Sequence, residues 1–409
     1  MQRYIYIGEE KCSFATLIIK IFSVKVIVFT AEFVSILLVI FLGLFFLALL
    51  IQMVFYWGVF SHFAFHKSKS HSLEKPPVSV VICARDEAYN LEHFLPHFLE
   101  QNYPDYEVIV VNDKSTDDTA HILLFYAKKY PHLKVINLES SVTNIKGKKF
   151  PLSIGIKSAK NDIVLLSDAD CKPCSEYWIE NMVKNYRPGV DIVVGYGSYI
   201  YEKSILNSII RYDTMHTAIQ YFSYSLCGRT YMGVGRNLSY KKSFFFKHKG
   251  FQSMYCLLSG DDDIFVNKFS TSKNTAVAYN FEARTESVPK HSFVLYRHQK
   301  TRHLESSKHY KFKDKLTLGM YGISLPLFYF SLIALIVLFV KMPLISYIAI
   351  VGGALLLKTI SQHIIFGLSA KKLQEPKMRC CILLHDMVYA FLSTYFLISS
   401  RLKRTHQWR

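Results

Sequence analysis

Long apolar stretches at both ends of the chain constrain its fold more than any other feature, because they leave only the middle to fold in water. Residues 30–57 consist almost entirely of apolar side chains and end with Tyr56 and Trp57. About 20 apolar residues in a helix cross the hydrocarbon core of a bilayer, and aromatic side chains favour its interfaces. We therefore expect a membrane span at residues 30–57, inside an N-terminal membrane segment of residues 1–66.

The apolar stretch before this span, residues 13–29, carries Lys20 and Lys25. The two lysines indicate an amphipathic helix that leads into the membrane. A cleaved signal peptide is disfavoured, because the apolar region is too long and lacks a pattern of small residues for cleavage.

A C-terminal membrane region, residues 318–400, is expected to hold two or three further spans. Its candidates are Leu318–Val340, Leu344–Leu368 and Ile382–Ser399. Polar side chains inside a span usually face a protein interior or a water-filled path. We expect this of the polar residues in the second and third candidates, which are Lys358, Gln362, His363, His385 and Asp386.

Basic residues near the spans indicate which side of the membrane each segment faces, since Lys and Arg mark the cytoplasmic side. Lys67 and Lys69 follow the first span and predict a cytoplasmic central domain. Basic residues also lie within residues 371–379 and in a basic tail, residues 401–409. Three full C-terminal crossings would put the tail outside. We therefore expect either the second or the third candidate to be re-entrant or interfacial.

The formal net charge of +18 suits either nucleic acid or an anionic membrane face together with anionic substrates. The membrane segments favour the second interpretation, and we expect no nucleic acid partner. Among the eight cysteines, Cys171 and Cys174 form a C-x-x-C that suits a redox pair or half of a zinc site. Because there is no second such pair in the sequence, the zinc interpretation is weak, and we expect a reducing compartment.

The middle of the chain, residues 76–312, alternates short β-branched runs with segments of helical spacing. Such alternation with short connections predicts an α/β fold with a mostly parallel sheet covered on both faces. The expected strands are residues 78–84, 107–111, 133–138 and 163–166, and the expected helices are residues 90–101, 118–130, 150–158 and 264–269.

Polar residues follow three of these strands where each one ends, namely Arg85-Asp86-Glu87, Asn112-Asp113 and Asp168-Ala169-Asp170. Ligands bind beyond the carboxyl ends of the strands in such sheets, so the three loops predict one site. The sequence contains no Gly-rich phosphate-binding motif, which leaves a metal ion as the natural partner of a phosphate.

Two of these loops allow both a ligand-binding and a structural interpretation. Asp168 and Asp170 point the same way in extended chain, and their oxygens suit Mg²⁺ or Mn²⁺, although a simple turn also uses Asp. Asp113 suits a hydrogen bond to a ribose or a base, while Thr116 or Asp117 suits a cap of the next helix.

Three further polar segments also have two interpretations. Ile145–Lys149 suits either phosphate binding or a solvated run of charge. Ser259–Asp263 contains three adjacent carboxylates, whose crowding raises a pKa toward the range of a general base; a capping or calcium-like cluster is the alternative. Gln299–His303 contains Arg302, which suits bidentate pairing with a diphosphate; a juxtamembrane basic segment is the alternative.

Taken in order, these residues resemble the family 2 inverting glycosyltransferases of GT-A fold, in particular the membrane-attached branch of cellulose, chitin and hyaluronan synthases. The family pattern is an acidic loop after the first strand, an Asp after the second, D-x-D, an acidic pair ending in the catalytic base, and Q-x-x-R-W. This sequence offers, over residues 77–305, Val80–Glu87, Asp113, Asp168-Ala169-Asp170, Asp261-Asp262 and Gln299–His303.

The resemblance implies a hexosyltransferase-type enzyme that uses Mg²⁺ or Mn²⁺. It implies that Asp262 is the base that deprotonates the acceptor, with Asp261 beside it, and that Asp170 and Asp168 hold the metal. The implied donor-binding residues are Ala84, Arg85, Glu87, Asp113, Lys148, Asp168, Gln299 and Arg302. The implied acceptor side consists of Gly235, Arg236 and Asn237.

Two departures from the family pattern affect what the resemblance implies. The usual Glu-Asp pair is Asp261-Asp262 here and a third acid, Asp263, follows, so the choice of base among the three stays open. The Trp of Q-x-x-R-W is His303 here. That Trp is associated with holding the acceptor sugar in polymer-making synthases, so its absence makes transfer of a single sugar at least as plausible as polymerisation.

The expected function is inverting transfer of a sugar from a nucleotide-sugar donor to a lipid carrier or glycan at the membrane face. The expected partners are that donor, the lipid-linked or glycan acceptor and membrane lipid. We expect an integral protein of a bacterial inner (plasma) membrane with a cytoplasmic catalytic domain. A processive polysaccharide synthase and a catalytically silent nucleotide-binding membrane protein are the alternatives. A transporter is disfavoured, because the best site lies outside the spans.

Overall fold

The structure is a computed structural model that describes residues 14–67, 74–139, 147–257, 259–341, 345–375, 378 and 382–402. Predictions made for Cys12, Lys69, Ile145, Lys146, Lys377, Arg379, Cys380, Cys381 and residues 403–409 fall outside these residues.

Nine short or medium α-helices precede α11 among the described residues, eight of them in the soluble middle. They are α2 (Ser61–Ala64), which ends the N-terminal membrane segment, and α3 (Ala88–Leu99), α4 (Thr119–Lys129), α5 (Lys149–Ser158), α6 (Trp178–Val183), α7 (Ile205–Leu226), α8 (Lys242–Lys247), α9 (Asp263–Phe269) and α10 (Phe293–Ser307). The long apolar helices are α1 (Phe14–Phe55), α11 (Phe312–Lys341), α12 (Ile345–Lys372) and α13 (Ile382–Leu402).

The strands form two sheets. They are β1 (Val78–Ala84), β2 (Tyr106–Asp113), β3 (Leu133–Leu138), β4 (Ile163–Asp168), β5 (Cys171–Pro173), β6 (Ile192–Gly195), β7 (Gly197–Tyr199), β8 (Leu238–Lys241), β9 (Thr275–Ala278) and β10 (Thr285–Ser287). The large sheet has the order β3-β2-β1-β4-β8-β6-β9, and the small sheet has the order β5-β10-β7.

Parallel pairing dominates the large sheet. Strands β3, β2, β1 and β4 pair in parallel, and so do β6 and β9. Only β8 runs antiparallel to its two neighbours, β4 and β6. The predicted α/β fold with a mostly parallel sheet is thus confirmed.

Strand β1 shows why the sheet is central to the domain. Its seven residues are all buried, as expected of a parallel strand with both faces covered. Successive side chains point to opposite faces, so Val80 and Ile82 pack toward α3 and α6, while Val81 packs toward α5. The hydrophobic core on the α5 side of the sheet, which contains Val81, continues into the membrane helices and includes Phe45 and Phe60. The soluble domain therefore rests directly on the membrane segment.

The N-terminal apolar region forms one continuous helix, α1, followed by a single π-helical turn at Tyr56–Phe60. The predicted entry helix of residues 13–29 is thus helical from Phe14 and continues into the span without interruption. Four helices within the described residues are long and apolar enough to cross a membrane, which are Phe33–Ala64, Phe312–Val340, Ile345–Lys372 and Ile382–Ser400.

Most of the polar residues in the last two of these helices face the protein interior, as predicted. Lys358 and Asp386 are fully buried and form an ion pair at 2.7 Å, and Tyr329 also donates to Asp386 at 2.7 Å. Gln362 accepts from Lys358 at 3.1 Å. The exception is His363, which is exposed on α12.

Candidate active site

Hydrogen bonds tie the loop after β1 to the loop after β2 and so fix one rim of the sheet. Asp86 adopts a positive φ of 55°, and its Oδ1 accepts from the backbone N–H of Thr116 at 2.7 Å. The backbone N–H of Glu87 donates to Thr119 Oγ1 at 3.0 Å. Asp117 accepts from the Thr119 N–H at 3.1 Å, but the N-cap residue of α4 is Asp118, so neither Thr116 nor Asp117 occupies the predicted cap position.

The predicted donor-side residues of these loops lie at this rim. Ala84 ends β1 in register with Asn112 of β2, so Asp113 follows at the same edge. Arg85 is exposed, whereas Ala84 and Asp113 are buried. Glu87 is half-buried on the same loop.

The pKa of the Glu87 carboxyl is affected by the neighbouring loop. Burial raises its pKa to about 7, against the hydrogen bond from Asn90 at 2.5 Å, and the charge of Asp170 raises the pKa further. Strands β1 and β4 pair in parallel up to Cys83 and Asp168, so the loops after them begin side by side, as the sequence predicts for the carboxyl ends of neighbouring parallel strands.

Asp168, Asp170 and Cys171 offer ligand atoms within 4.8 Å of one another. Lys148 forms an ion pair with Asp168, which outweighs the effect of burial and lowers the pKa of that carboxyl. Burial and the charge of Asp168 raise the pKa of Asp170. Two carboxylates of like charge at this distance favour a cation between them.

The donor atoms fit a hard divalent ion held by two oxygens. The Cys171 thiol is fully buried and lies 2.9 Å from Ser287 Oγ, and burial raises its pKa well above its usual range. The contact with Ser287 occupies this thiol, so the two carboxylates of Asp168 and Asp170 are the ligands suited to a hard ion, with open positions for phosphate oxygens and water. This set suits Mg²⁺ or Mn²⁺ rather than zinc. Cys174, the other half of the C-x-x-C, is a free thiol outside this group.

Four cations surround the two carboxylates. Lys148, Arg236 and Arg302 stabilise the charge of Asp168, and Lys290 and Arg236 stabilise that of Asp170. The Nε atoms of Arg236 and Arg302 are buried and make no hydrogen bond to any described residue. Buried guanidinium donors without partners are ready to bind an anion, and a diphosphate would supply the missing acceptors.

Gln299 reaches the same region through Tyr199. Its Nε2 donates to Tyr199 Oη at 2.9 Å, and the guanidinium of Arg236 lies over the Tyr199 ring at 4.4 Å from its centroid. Gln299 is thus one step removed from the carboxylates, and Arg302 is closer to them.

Asp262 lies in a different environment from the metal pair. Its Oδ2 accepts from the backbone N–H of Gly235 at 2.7 Å, and its Oδ1 accepts from the Asp263 N–H at the start of α9. A Cβ at position 235 would come within 3.1 Å of Oδ2, so glycine permits this approach. Burial raises the pKa of Asp262 to about 8, and the charges of Asp261 and Asp263 add to the shift. A carboxylate with this pKa is suited to accept a proton near neutral pH.

Asp263 is distinguished from the other two acids by its contacts. It is buried, and both Ser306 and Tyr310 donate to its Oδ2, the latter at 2.8 Å. These bonds commit Asp263 to holding α9 against α10. Asp261 and Asp262 are half-buried and remain the candidates for the base.

The segment Gly235–Asn237 joins the two halves of the site. Gly235 contacts Asp262, while the carbonyl oxygen of Arg236 accepts from Ser167 Oγ at 3.1 Å, directly before Asp168. Asn237 is fully buried, and its amide donates to the carbonyl oxygens of Tyr196 and Ala283. Its side chain therefore supports the fold and does not line the cleft.

The sequence did not single out Lys149, although it belongs to the basic run that was considered. Its Nζ is buried and donates to the carbonyl oxygens of Leu257 and Ser259, at 2.7 and 2.6 Å. Lys148 thus forms an ion pair with Asp168, while Lys149 holds the acidic loop, Ser259–Asp263, in place. Lys290 was also missed, since a lone lysine between a strand and a helix carries no pattern.

An α/β domain with paired carboxylates surrounded by cations at the carboxyl edge of its sheet has the architecture of a GT-A glycosyltransferase. Residues 79–245 match the model of glycosyl transferase family 2. The chain therefore contains a family 2 glycosyltransferase domain, and the resemblance seen in its sequence is confirmed.

Two proteins of similar sequence support this assignment. A poly-β-1,6-N-acetyl-D-glucosamine synthase from Staphylococcus epidermidis is 31% identical over 180 residues, which cover 43% of this chain and 42% of that protein. A β-monoglucosyldiacylglycerol synthase from Nostoc sp. is 31% identical over 113 residues, covering 27% and 24%. The matches span less than half the length of either relative.

A solved structure supports the fold. A mannosyltransferase from Pyrobaculum calidifontis, determined in complex with GDP-mannose and Mn²⁺, superposes with a TM-score of 0.55 at 18% identity. The superposition covers 83% of this chain and 99% of the other.

Proposed function

We propose that this protein is a membrane-bound, metal-assisted inverting glycosyltransferase that moves a sugar from a nucleotide-sugar donor to a membrane-proximal acceptor. The observation that carries the proposal is the segment Gly235-Arg236. Gly235 contacts Asp262 on one side, and Arg236 contacts the strand end before Asp168 on the other, so the proposed proton acceptor and the proposed metal pair flank one short segment.

The donor side consists of the metal pair and its cations. A divalent ion held by Asp168 and Asp170, Mg²⁺ or Mn²⁺, would neutralise the charge that develops on a leaving diphosphate. Arg236 and Arg302 offer buried Nε donors to the same oxygens, and Lys148 supplies a further positive charge. Charge stabilisation of the leaving group is usually the largest contribution that such a site makes.

The nucleotide would lie over the rim formed by the loops after β1 and β2. Asp113 ends β2 there and is buried, so its carboxylate suits a hydrogen bond to the ribose or base. Ala84, Arg85 and Glu87 border the same rim.

Asp262 is proposed as the base. Its carboxylate would take the proton of the acceptor hydroxyl while that oxygen attacks the anomeric carbon, and the nucleoside diphosphate leaves from the opposite face. Gly235 holds Oδ2 at 2.7 Å and so fixes the direction of the carboxylate. Asp261 raises the basicity of its neighbour through its charge.

The acceptor is proposed to be a lipid carrier or a glycan at the membrane face, reached from the cytoplasm of a bacterial inner membrane. Four apolar helices and a hydrophobic core shared between the domain and these helices support this location. The named relatives include a glycolipid synthase and a polysaccharide synthase, so both acceptor classes occur among similar proteins.

Transfer of a single sugar is proposed over processive synthesis, because His303 replaces the Trp associated with holding a polymer end and is exposed on α10. Product length after incubation with donor separates the two. Single transfer yields one added sugar per acceptor, whereas a ladder of longer products would favour the processive alternative.

The test of the function is a donor screen on the full chain in detergent or nanodiscs with Mn²⁺ and membrane lipid extract. We expect one nucleotide sugar to release nucleoside diphosphate in step with sugar incorporation into lipid or glycan. Absence of both release and incorporation across the UDP-, GDP- and dTDP-sugars would favour a catalytically silent nucleotide-binding protein.

A further inference from the structure

The C-terminal helix α13 keeps contact with the soluble domain along its length. Phe396 packs against Tyr296 of α10, with ring centroids 5.3 Å apart, and against Phe293 at 6.0 Å. Arg297 donates to Tyr395 Oη at 3.2 Å. Helix α10 belongs to the soluble domain, because its Ser306 donates to Asp263.

The contacts of the other long helices are those expected of helices that cross a membrane. Along α1 and α11, contacts run from Phe55–Tyr321 to Phe45–Phe328 and Phe41–Phe330, so the two helices are antiparallel. These contacts move steadily away from the soluble domain.

Helix α12 returns along the same path. Lys358 lies 3.0 Å from Tyr329 Oη, while Phe366 and Tyr321 both contact the ring of His216 on α7. Glu375, just beyond α12, is fully buried and pairs with Arg211 of the soluble domain. Helices α11 and α12 thus form one crossing out and one crossing back.

Helix α13 does not continue this pattern. Near its start, Asp386 reaches Lys358 and Tyr329, and His385 contacts Ser208 Oγ at 2.8 Å. Ten residues of helix advance about 15 Å along the axis. A third crossing would bring position 396 toward the far ends of α11 and α12, yet Phe396 lies against α10.

The side of α13 away from the protein is apolar and exposed. Leu384, Phe391 and Ile398 are 57%, 44% and 54% exposed, and they recur every seven residues, so they share one face of the helix. The first residues of α10 add to this surface, because Phe293, Val294 and Leu295 are also exposed. Phe391 of this face also contacts Tyr329 of the candidate span α11, with ring centroids 6.4 Å apart, so the surface adjoins a lipid-facing helix and lipid is its expected occupant.

We propose that α13 lies in the plane of the membrane on the soluble domain's side, with Leu384, Phe391 and Ile398 inserted into lipid, and does not cross the bilayer. Amphipathic helices of this length commonly lie in the interface with one apolar face buried. The C-terminal region then contains two crossings, α11 and α12.

The charge distribution agrees with this arrangement. Two crossings return the chain to the soluble domain's side, so the basic residues of the tail stay on the side where Lys67 lies. Three crossings would move those charges across the membrane, against the preference of Lys and Arg for the cytoplasmic side.

Depth measurements test the proposal in nanodiscs. Trp replaces Leu384, Phe391 or Ile398 one at a time, and quenching by lipids brominated at different acyl positions is measured, with the parent protein's signal subtracted. We expect the same shallow depth at all three positions. A spread of about 21 Å, the length of 14 helical residues, would overturn the proposal.

Helix α11 supplies the matched control. Ile323, Phe330 and Val337 have the same seven-residue spacing and are 63%, 59% and 57% exposed. Trp at these positions should show the full spread of depths. If the α13 series spreads as the α11 series does, α13 crosses the membrane.

A topology reporter gives an independent readout in cells. A reporter fused after Arg409 should report the same side as one inserted at Lys67, and one inserted between α11 and α12 should report the opposite side. A reporter after Arg409 on the opposite side from Lys67 would overturn the proposal even if the depth series agreed.

Discussion

Single residues determine whether the site contains a carboxylate that can act as a base. Asp262 lies between two other acids, and burial together with their charges raises its pKa to about 8. The N–H of Gly235 stabilises the carboxylate but does not reverse the shift. The order of the acids along the chain is visible in the sequence. The sequence does not show which acid is available as a base. Asp263 is held by hydrogen bonds from Ser306 and Tyr310, residues more than forty positions away.

The first prediction concerns pH. Transfer requires ionised Asp262, so kcat/KM for the acceptor should rise with pH with a midpoint of about 8. The Asp261→Asn variant removes one of the charges that raise this pKa, so its midpoint should move to lower pH. A pH–rate profile of both proteins under saturating donor measures the shift, and an unchanged midpoint would contradict the assignment of Asp262.

The stability of the folded protein should show the opposite dependence on pH. A folded-state pKa raised from 3.8 to about 8 means that the folded protein binds more protons than the unfolded chain between these values. Asp262 therefore costs stability as pH rises through this range. The Asp262→Asn variant should be at least as stable as the parent at pH 9 in thermal unfolding, which also shows that it folds.

The second prediction separates two neighbouring lysines. Lys148→Met removes the partner of Asp168 and should weaken donor binding about tenfold, because a charge-assisted hydrogen bond is lost. Lys149→Met frees the carbonyl oxygens of Leu257 and Ser259, so it should lower kcat while leaving donor affinity near that of the parent. Isothermal titration with donor and steady-state kinetics distinguish the two. Equal effects of both substitutions on donor affinity would contradict this division of roles.

At the scale of elements, the positions of whole helices carry the site. Helix α10 places Arg302 near Asp168 and Gln299 on Tyr199, and α7 fixes α10 through one buried charge pair. Asp213 accepts from Lys300 at 2.8 Å and from Tyr296 at 2.6 Å, and it is almost fully buried.

The third prediction tests this attachment. Lys300→Met leaves Asp213 buried with only Tyr296 as a donor, so it should destabilise the protein by about 3 kcal/mol. In the double variant Asp213→Asn, Lys300→Met the uncompensated charge is gone, and part of the stability should return. Thermal unfolding of both variants measures the difference. If the double variant is as unstable as Lys300→Met, the charge pair is not the cause.

Much of the element pattern follows from the sequence, and the exceptions have physical reasons. Strands β1 and β3 have the predicted bounds, because β1 is a buried, β-branched run preceded by proline and followed by a polar loop, and β3 interleaves apolar with polar residues. Asp168 ends β4 and Asp170 lies in the turn before β5, so a turn brings their oxygens together, and not the predicted alternation along an extended chain. Asn237 was placed on the acceptor side, yet its amide is used by backbone carbonyls that only the folded chain brings near.

The orientation of α13 is the clearest case of information that is absent from composition. Its length and apolar content suit a crossing as well as an interfacial position. The distinction comes from Phe396 and Tyr395, whose partners on α10 lie about a hundred residues earlier in the chain. The basic tail did indicate a conflict with three crossings, and it left two helices as candidates.

At the scale of the whole molecule, the domain and the membrane helices form one continuous core. Phe63 stacks on Phe222 of α7 at 5.1 Å, and Lys372 at the end of α12 donates to the Phe63 carbonyl at 2.9 Å. These contacts attach the soluble domain to the membrane helices, which is the arrangement that the proposed acceptor at the membrane face requires.

The central claim is that one cleft holds a metal-bound donor at Asp170 and a proton acceptor at Asp262. The most direct measurement is titration of the identified donor with Mn²⁺ into the Asp170→Ala and Asp262→Asn variants, with product release followed in parallel. Asp170→Ala should lose Mn²⁺-dependent donor binding. Asp262→Asn should bind donor as the parent does and release at least a hundredfold less diphosphate in the presence of acceptor. Near-parent turnover by Asp262→Asn, or unchanged Mn²⁺-dependent binding by Asp170→Ala, would contradict the claim.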